Sequence, residues 1–399
     1  MHLLWVSAAW AHIGATITGV DVEPGVDGPH MLVEANFGLL WAADGQRYEW
    51  TCHETVTAEG VVLTPRYARG ADGTLLVTIT AMQGRDAQHS LYRSADDGCN
   101  WTTAGMPDQL VSALDWSGPV PVLGTANLDA DNDVYVSHDS GESWVAVGLD
   151  LGHRVVLAAV ADDTRAWATV ADVESEQVWL ARSVDTGETW TLDELDLSPW
   201  ASGRLQRAIV IAHHDDVVWM VAGFLDHDVV LRIDGDEVES VLQVDGDLID
   251  GARTSEGVFA VVEGSRQIHT SADGLTWAVD PELPTSIGVG ANDTLWFTAY
   301  ADFTGGLLFH GPDHALVPHE IAGPLECPAD SESAQICDPL WPQLDERLQV
   351  FAPWDSAEPV DTSPPVRPPE ARFACSSVPG PGWLLALLTV PLLRRRRRC

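Results

Sequence analysis

Four stretches of the chain line up: SADDGCNW at Ser94–Trp101, SHDSGESW at Ser137–Trp144, SVDTGETW at Ser183–Trp190 and SADGLTW at Ser271–Trp277. They share the pattern S-x-D-x-G-x-[ST]-W. Asn100 takes the Ser/Thr place in the first copy, and the last copy is one residue short. Ser and Asp side chains bond to backbone groups of a tight turn, and Gly supplies the positive φ that such a turn needs. Trp then opens the next strand and buries its ring between neighbouring sheets. Ser94, Asp96, Gly98 and Trp101 therefore read as one structural turn. Ser137, Asp139, Gly141 and Trp144 form a second, Ser183, Asp185, Gly187 and Trp190 a third, and Ser271, Asp273, Gly274 and Trp277 a fourth. None of these residues is assigned a catalytic, cofactor-binding or metal-binding role.

The first Ser of each copy recurs after 43, 46 and 88 residues, and the last interval is two units of 44. A degenerate copy is therefore expected near LRIDGDE (Leu231–Glu237), with two more at LLWAADGQRYEW (Leu39–Trp50) and LLFHGPDH (Leu307–His314). Each unit is preceded by apolar or alternating runs of strand type, such as LLVTIT at Leu75 and VVWMVAGFLDHDVVLRI at Val217. Seven units of four strands predict an all-β, seven-bladed β-propeller with four-stranded antiparallel blades, spanning residues 12–345.

The repeated pattern resembles the Asp box, or BNR repeat, of sialidase-like and sortilin-like β-propellers, and Ser183–Trp190 matches it at every defined position. The resemblance implies that each box sits on the turn between the third and fourth strands of a blade, at the outer rim. Photosystem II stability factor-like propellers, which act in assembly or binding, are similar too. The sialidases in this group grip a substrate carboxylate with an arginine triad, the first member lying in an F/Y-R-I-P motif. That motif is missing here, where the nearest context is Pro65-Arg66-Tyr67-Ala68. Tyr92 and Tyr135 sit just ahead of boxes, the wrong place for a nucleophile in a central pocket. Other Asp-box glycosidases use paired carboxylates, and the chain has 60 acidic residues from which a pair could come.

Outside the repeats the chain reads as addresses and a spacer. Residues 375–399 join Cys375, a small-residue and Pro/Gly spacer, an apolar run from Trp383 to Leu393, and Arg394 to Arg398. The run is expected to form a short hydrophobic tail helix, with the Arg cluster holding its end in the cytoplasm. This combination resembles the MYXO-CTERM sorting tail of myxobacterial surface proteins. It implies a sorting protease and membrane as partners, with Cys375 at the processing point. Residues 1–11 read as a signal peptide lacking the usual positive n-region, and residues 346–374 as a Pro-rich linker. The protein is expected to be exported to the cell surface or outer envelope, or released.

Composition narrows the function. The 399 residues carry 60 Asp+Glu against 21 Lys+Arg, a net charge of −39, and every basic residue is Arg. A field of that sign repels phosphate backbones and argues against a nucleic-acid partner. A 45% hydrophobic content with 17 Trp supplies the apolar surface for folding. Of the six Cys, Cys327 and Cys337 flank one irregular loop and are expected to pair, with Cys52 and Cys99 left as a second candidate pair. The Asp129–Asp133 run begins like a calcium loop but has Val134 in place of the required Gly, so it reads as a solvated turn. His213–Asp216 and the His310, His314, His319 series likewise read as turn residues. No cofactor is expected. The favoured function is a non-enzymatic surface module binding a protein or glycan, or contributing to envelope structure; the alternative is an Asp-box glycoside hydrolase.

Overall fold

Continuous apolar runs and half-charged runs alternate along the chain, and that alternation sets each strand's distance from the molecular axis. β18 (Val217–Gly223, VVWMVAG) is buried at all but its first residue, so both of its faces meet a neighbouring sheet. β20 (Glu237–Val244, EVESVLQV) is largely exposed and lies at an outer edge. In a computed structural model, residues 17–350 are described apart from short segments at 26–27, 36, 43–46, 57–64, 84–85, 107–108, 128, 173, 202, 265–266, 282–285, 292–294, 302–303, 311–314 and 318–319.

The chain begins with β1 (Ile17–Gly25), β2 (Gly28–Ala35), β3 (Gly38–Ala42) and β4 (Arg47–Thr51), which form the closing sheet. Six four-stranded antiparallel blades follow in sequence order. Blade I is β5 (Arg66–Arg69), β6 (Leu75–Gln83), β7 (Asp86–Ser94) and β8 (Thr102–Thr103). Blade II is β9 (Val111–Asp115), β10 (Val122–Thr125), β11 (Val134–Val136) and β12 (Val145–Ala146). Blade III is β13 (Val155–Ala161), β14 (Ala166–Ala171), β15 (Val178–Ser183) and β16 (Thr191–Leu195). Blade IV is β17 (Arg207–His214), β18, β19 (Asp228–Asp234) and β20. Blade V is β21 (Leu248–Arg253), β22 (Phe259–Glu263), β23 (Ile268–Ser271) and β24 (Ala278–Val279). Blade VI is β25 (Ser286–Ala291), β26 (Leu295–Ala301), β27 (Thr304–His310) and β28 (Ala315–Val317). The first strands of blades I to VI are successive neighbours, β5 meets β2 of the closing sheet, and β25 returns to β1, so the sheets close into a ring. The fold is a β-propeller.

The expectation of seven blades of four strands each does not stand. Six blades have four strands, and the closing sheet has five, because β29 (Glu320–Pro324) adds to β4 in parallel. The repeat pattern could not show this, since β29 follows the last unit and pairs with a strand some 270 residues earlier. No hydrophobic tail helix occurs among the described residues, and none of their helices is long and apolar enough to cross a membrane. Residues 1–11, 375–399 with Cys375, and most of the expected linker lie outside the described residues.

A first strand has one edge without a strand partner, so its backbone groups need other ones. Side chains of the preceding sheet supply them. Glu34 Oε1 accepts from Tyr67 N at 2.8 Å, Asp115 Oδ2 from Ala161 N at 2.9 Å, and Asp250 Oδ2 from Val289 N at 2.9 Å. Buried Asp228 accepts from Leu248 N at 2.6 Å and pairs with Arg207. Hydroxyls serve the carbonyls: Ser112 donates to Val156 O at 2.6 Å and Thr169 to Ala208 O at 2.7 Å. Polar side chains thus bolt each sheet to the next around the ring.

Beyond β29 come α1 (Glu332–Cys337) and α2 (Trp341–Val350), and α2 crosses the junction where the linker is expected to begin. Trp341 and Leu344 pack with Met31, Val33, Leu40, Tyr48 and Trp50 of the closing sheet. The disulfides are Cys52–Cys337 and Cys99–Cys327, each with 5.5 Å between Cα atoms. The expected Cys327–Cys337 bridge is therefore corrected, and Cys52 and Cys99 do not pair with each other. Sequence proximity misled here. β29 delivers Cys327 to the blade I turn, and α1 then carries Cys337 back to Cys52 at the end of β4.

Candidate binding cleft

The four repeated turns all lie between the third and fourth strands of blades I, II, III and V. Their hydrogen bonds are nearly the same. The Oγ atoms of Ser94, Ser137, Ser183 and Ser271 donate to Asp96, Asp139, Asp185 and Asp273, at 2.8, 2.8, 2.9 and 3.0 Å. Each Oγ also accepts from the Gly98, Gly141, Gly187 or Gly274 amide at 2.8 Å. The short copy keeps this bond because the residue it lacks is the left-handed one before Gly, represented by Asp97, Ser140 and Thr186 in the others. These glycines have φ between +68° and +95°. A Cβ on Gly141 would lie 2.6 Å from Leu76, one on Gly187 2.7 Å from Val136, and one on Gly274 2.7 Å from Trp219, all in the preceding blade.

The tryptophans follow the same logic. Trp101 packs with Leu32 and Leu39 of the closing sheet as well as Leu75 and Val77 of its own blade. Trp144, Trp190 and Trp277 pack at the corresponding junctions with the preceding blade. Trp101 is buried and the other three are half-buried. The Ser143 hydroxyl and amide hold Asp139 down at about 2. Thr189 lowers Asp185 in the same way, and the Thr276 and Leu275 amides lower Asp273. Burial would raise Asp96, but hydrogen bonds led by Asn100 more than offset it. Every one of these polar groups serves the turn.

Other titratable candidates also have structural partners. Asp133 accepts from the amides of Val134, Gly148 and Leu149, while Asn132 Oδ1 accepts from Asn127 N at 2.6 Å. That run closes a polar turn around itself. His213 faces Asp162 at 3.5 Å and stacks on Trp167, and His214 and Asp215 make the hairpin to β18. His314 and His319 lie outside the described residues. His53 is pushed down to about 4 by burial, against a hydrogen bond with the Ala35 carbonyl.

The ring's other face offers a different surface. Turns between second and third strands, and the links from one blade to the next, lie opposite the repeated turns. There a cleft of about 330 Å³ opens between blades III and IV. Leu195, Leu197, Leu205 and Phe224 form its apolar wall, all buried in the core shared by the two blades. Glu176, Glu194 and Asp196 rim it and are exposed. Gln177 donates to Glu194 at 3.1 Å, and Arg204 approaches Glu176 at 3.9 Å. The Ser198 hydroxyl and amide hold Asp196 below the usual carboxylate range. Beside Gly203 in the rim stands Leu225, 77% exposed. The cleft joins buried apolar side chains to a negative rim. Its residues were not singled out from the sequence. The available signal was Leu197, Trp200 and Leu205 inside a segment, 196–206, that otherwise reads as a link between blades.

No family model matches the chain, and no curated protein matches it. Solved propellers do. The GH74 xyloglucanase from Xanthomonas campestris is 15% identical with a TM-score of 0.53, covering 76% of this chain and 54% of its own. Prolyl oligopeptidase B from Galerina marginata is 10% identical with a TM-score of 0.52, covering 77% and 51%. YCF48 from Cyanidioschyzon merolae is 15% identical with a TM-score of 0.45, covering 77% and 96%. The chain thus spans about half the length of the xyloglucanase and the oligopeptidase. At these identities the likeness to the xyloglucanase and the oligopeptidase shows the propeller fold alone.

Proposed function

We propose that the protein is an exported, surface-attached binding module of Asp-box type that takes a protein or glycan partner in the cleft between blades III and IV. The cleft carries this reading. Three rim carboxylates beside an apolar wall favour a partner presenting a cationic group next to an apolar one, because a neutral ligand would desolvate the carboxylates without compensation. Hydrolysis is the weaker alternative: Asp115 and Asp250, on first strands near the axis, accept hydrogen bonds from backbone amides of the next sheet. Export is supported by the two disulfides, which suit an oxidising compartment, and by the MYXO-CTERM-like tail.

A binding screen of the folded head against cationic peptides and a glycan panel tests the function. The E176Q/E194Q/D196N variant is expected to weaken the captured partner at least about tenfold, since removing surface charges lowers electrostatic complementarity. Unchanged binding by that variant, or turnover of a glycan, would overturn the assignment. Intact-mass analysis of the native protein tests the location, with a mature C-terminus near Cys375 expected. A soluble cytoplasmic species retaining residues 376–399 would refute export.

A further inference from the structure

The ring has one seam. Blades I to VI follow one another along the chain through their inner strands, but blade VI joins the closing sheet by chain only at its outer edge, through β29, while the inner strand β1 comes from the start of the described chain. β29, α1 and α2 span this place. β29 extends the closing sheet and α2 touches both β27 and β29, while α1 sits on the 3-10 turn His53–Thr55. Trp341 packs against Trp50 with ring centroids 5.7 Å apart and planes tilted by 45°.

The blade I turn is altered to receive this segment. Among the positions where it differs from the turn at Ser183–Trp190, Cys99 and Asn100 stand in place of Glu188 and Thr189. Cys99 bonds to Cys327. Asn100 Nδ2 donates to Asp96 at 2.7 Å, doing the work of the Thr189 hydroxyl, while its Oδ1 accepts from Glu332 N at 3.0 Å. Ser333 N donates to Cys99 O at 3.0 Å, and its hydroxyl donates to Gly98 O. The two bridges differ in access. Cys52 and Cys337, the latter at the end of α1, are each 1% exposed, whereas Cys99 is 7% exposed and Cys327 is half-buried on the connection before α1.

We infer that residues 320–350 form a two-step, thiol-opened clasp on the propeller seam: Cys99–Cys327 is reduced first, α1 then lifts, and only then does Cys52–Cys337 become reducible and the ring loosen between blade VI and the closing sheet. Thiol–disulfide exchange needs access to a sulfur, and Cys327 is the most exposed of the four cysteines. Each bridge takes two electrons and two protons from a dithiol, yielding two cysteine thiols and the reductant's cyclic disulfide. α1 and α2 are six and ten residues long, too short to persist without their anchorage. The bridges close loops with sequence separations of 228 and 285 residues, so opening them releases most of the chain's closure constraint.

The test is timed reduction of the folded head with dithiothreitol, alkylation and peptide mapping, alongside hydrogen exchange. Cys99 and Cys327 should alkylate first, with Cys52 and Cys337 following at least about tenfold more slowly. In the C99S/C327S variant the remaining bridge should reduce about tenfold faster, whereas C52S/C337S should leave the rate of Cys99–Cys327 unchanged. After full reduction, exchange should rise about tenfold in residues 17–51 and 286–324 and less than about twofold in residues 155–244. Simultaneous or reversed reduction, or exchange rising equally around the ring, would overturn the inference. If either variant fails to fold, the wild-type alkylation order decides alone.

Discussion

Blades III and IV are neighbours of similar size that join their third and fourth strands in opposite ways. Blade III uses the eight-residue Ser183–Trp190 turn, and its outer strand β16 has five residues. Blade IV turns through Gly235 and Asp236 alone, and β20 runs for eight. The outer strands of the other repeated-turn blades, β8, β12 and β24, have only two residues each. Where the turn is large, the blade is held to its predecessor by a Trp ring and a closely fitted Gly. Where the turn is small, it is held by a full ladder, with Arg232 bridging Asp234 and Glu239 across the hairpin. The repeated turn is thus an alternative to strand length, exchanging backbone pairs at the outer edge for apolar contact with the preceding blade.

The largest expected effect breaks that contact. Trp101→Ala, at a buried site, should cost about 4 kcal/mol in urea unfolding, and Trp190→Ala, half-buried, about 2–3 kcal/mol. Equal costs below about 1 kcal/mol would show that the rings do not anchor the blades.

The glycines sharpen the comparison. Gly187→Ala combines a φ of +86° with a 2.7 Å approach to Val136, so it should cost about 3 kcal/mol. Gly235→Ala has a φ of +59° and nothing within 4 Å of its Cβ, so it should cost only about 1 kcal/mol. Thermal or urea unfolding that ranks the pair the other way would remove blade-to-blade fit as the reason for glycine in the larger turn.

Acid gives the smallest effect. Asp139 is held at about 2 in the fold against an ordinary 3.8, so the folded state favours its ionised form. Its contribution is complete above pH 3.8 and is lost as pH falls through about 2. Asp139→Asn should flatten the loss of stability in that window, slightly because the group is exposed. Acid titrations of this variant and the parent protein monitored by Trp fluorescence check this.

How far the sequence could be read depended on the range of the forces involved. The turns at Ser94, Ser137, Ser183 and Ser271 were legible because the bonds defining them span two to four residues. The degenerate stretches at Leu39–Trp50, Leu231–Glu237 and Leu307–His314 also include third-to-fourth-strand turns, since a regular unit length sets their phase. The cleft was not legible. Its rim comes from a hairpin, an outer strand and a link between blades, none unusual alone, and their meeting depends on how blades III and IV pack.

By itself, then, the sequence determined the all-β class, the four-stranded repeat and the turn that organises it, because strand periodicity and Asp–Ser–Gly turn chemistry act over a few residues. Only the tertiary structure decided the fifth strand of the closing sheet, the pairing of Cys52 with Cys337 and Cys99 with Cys327, and the place of the cleft. Those follow from ring closure, which brings residues separated by 228 and 285 positions together and which no local pattern encodes.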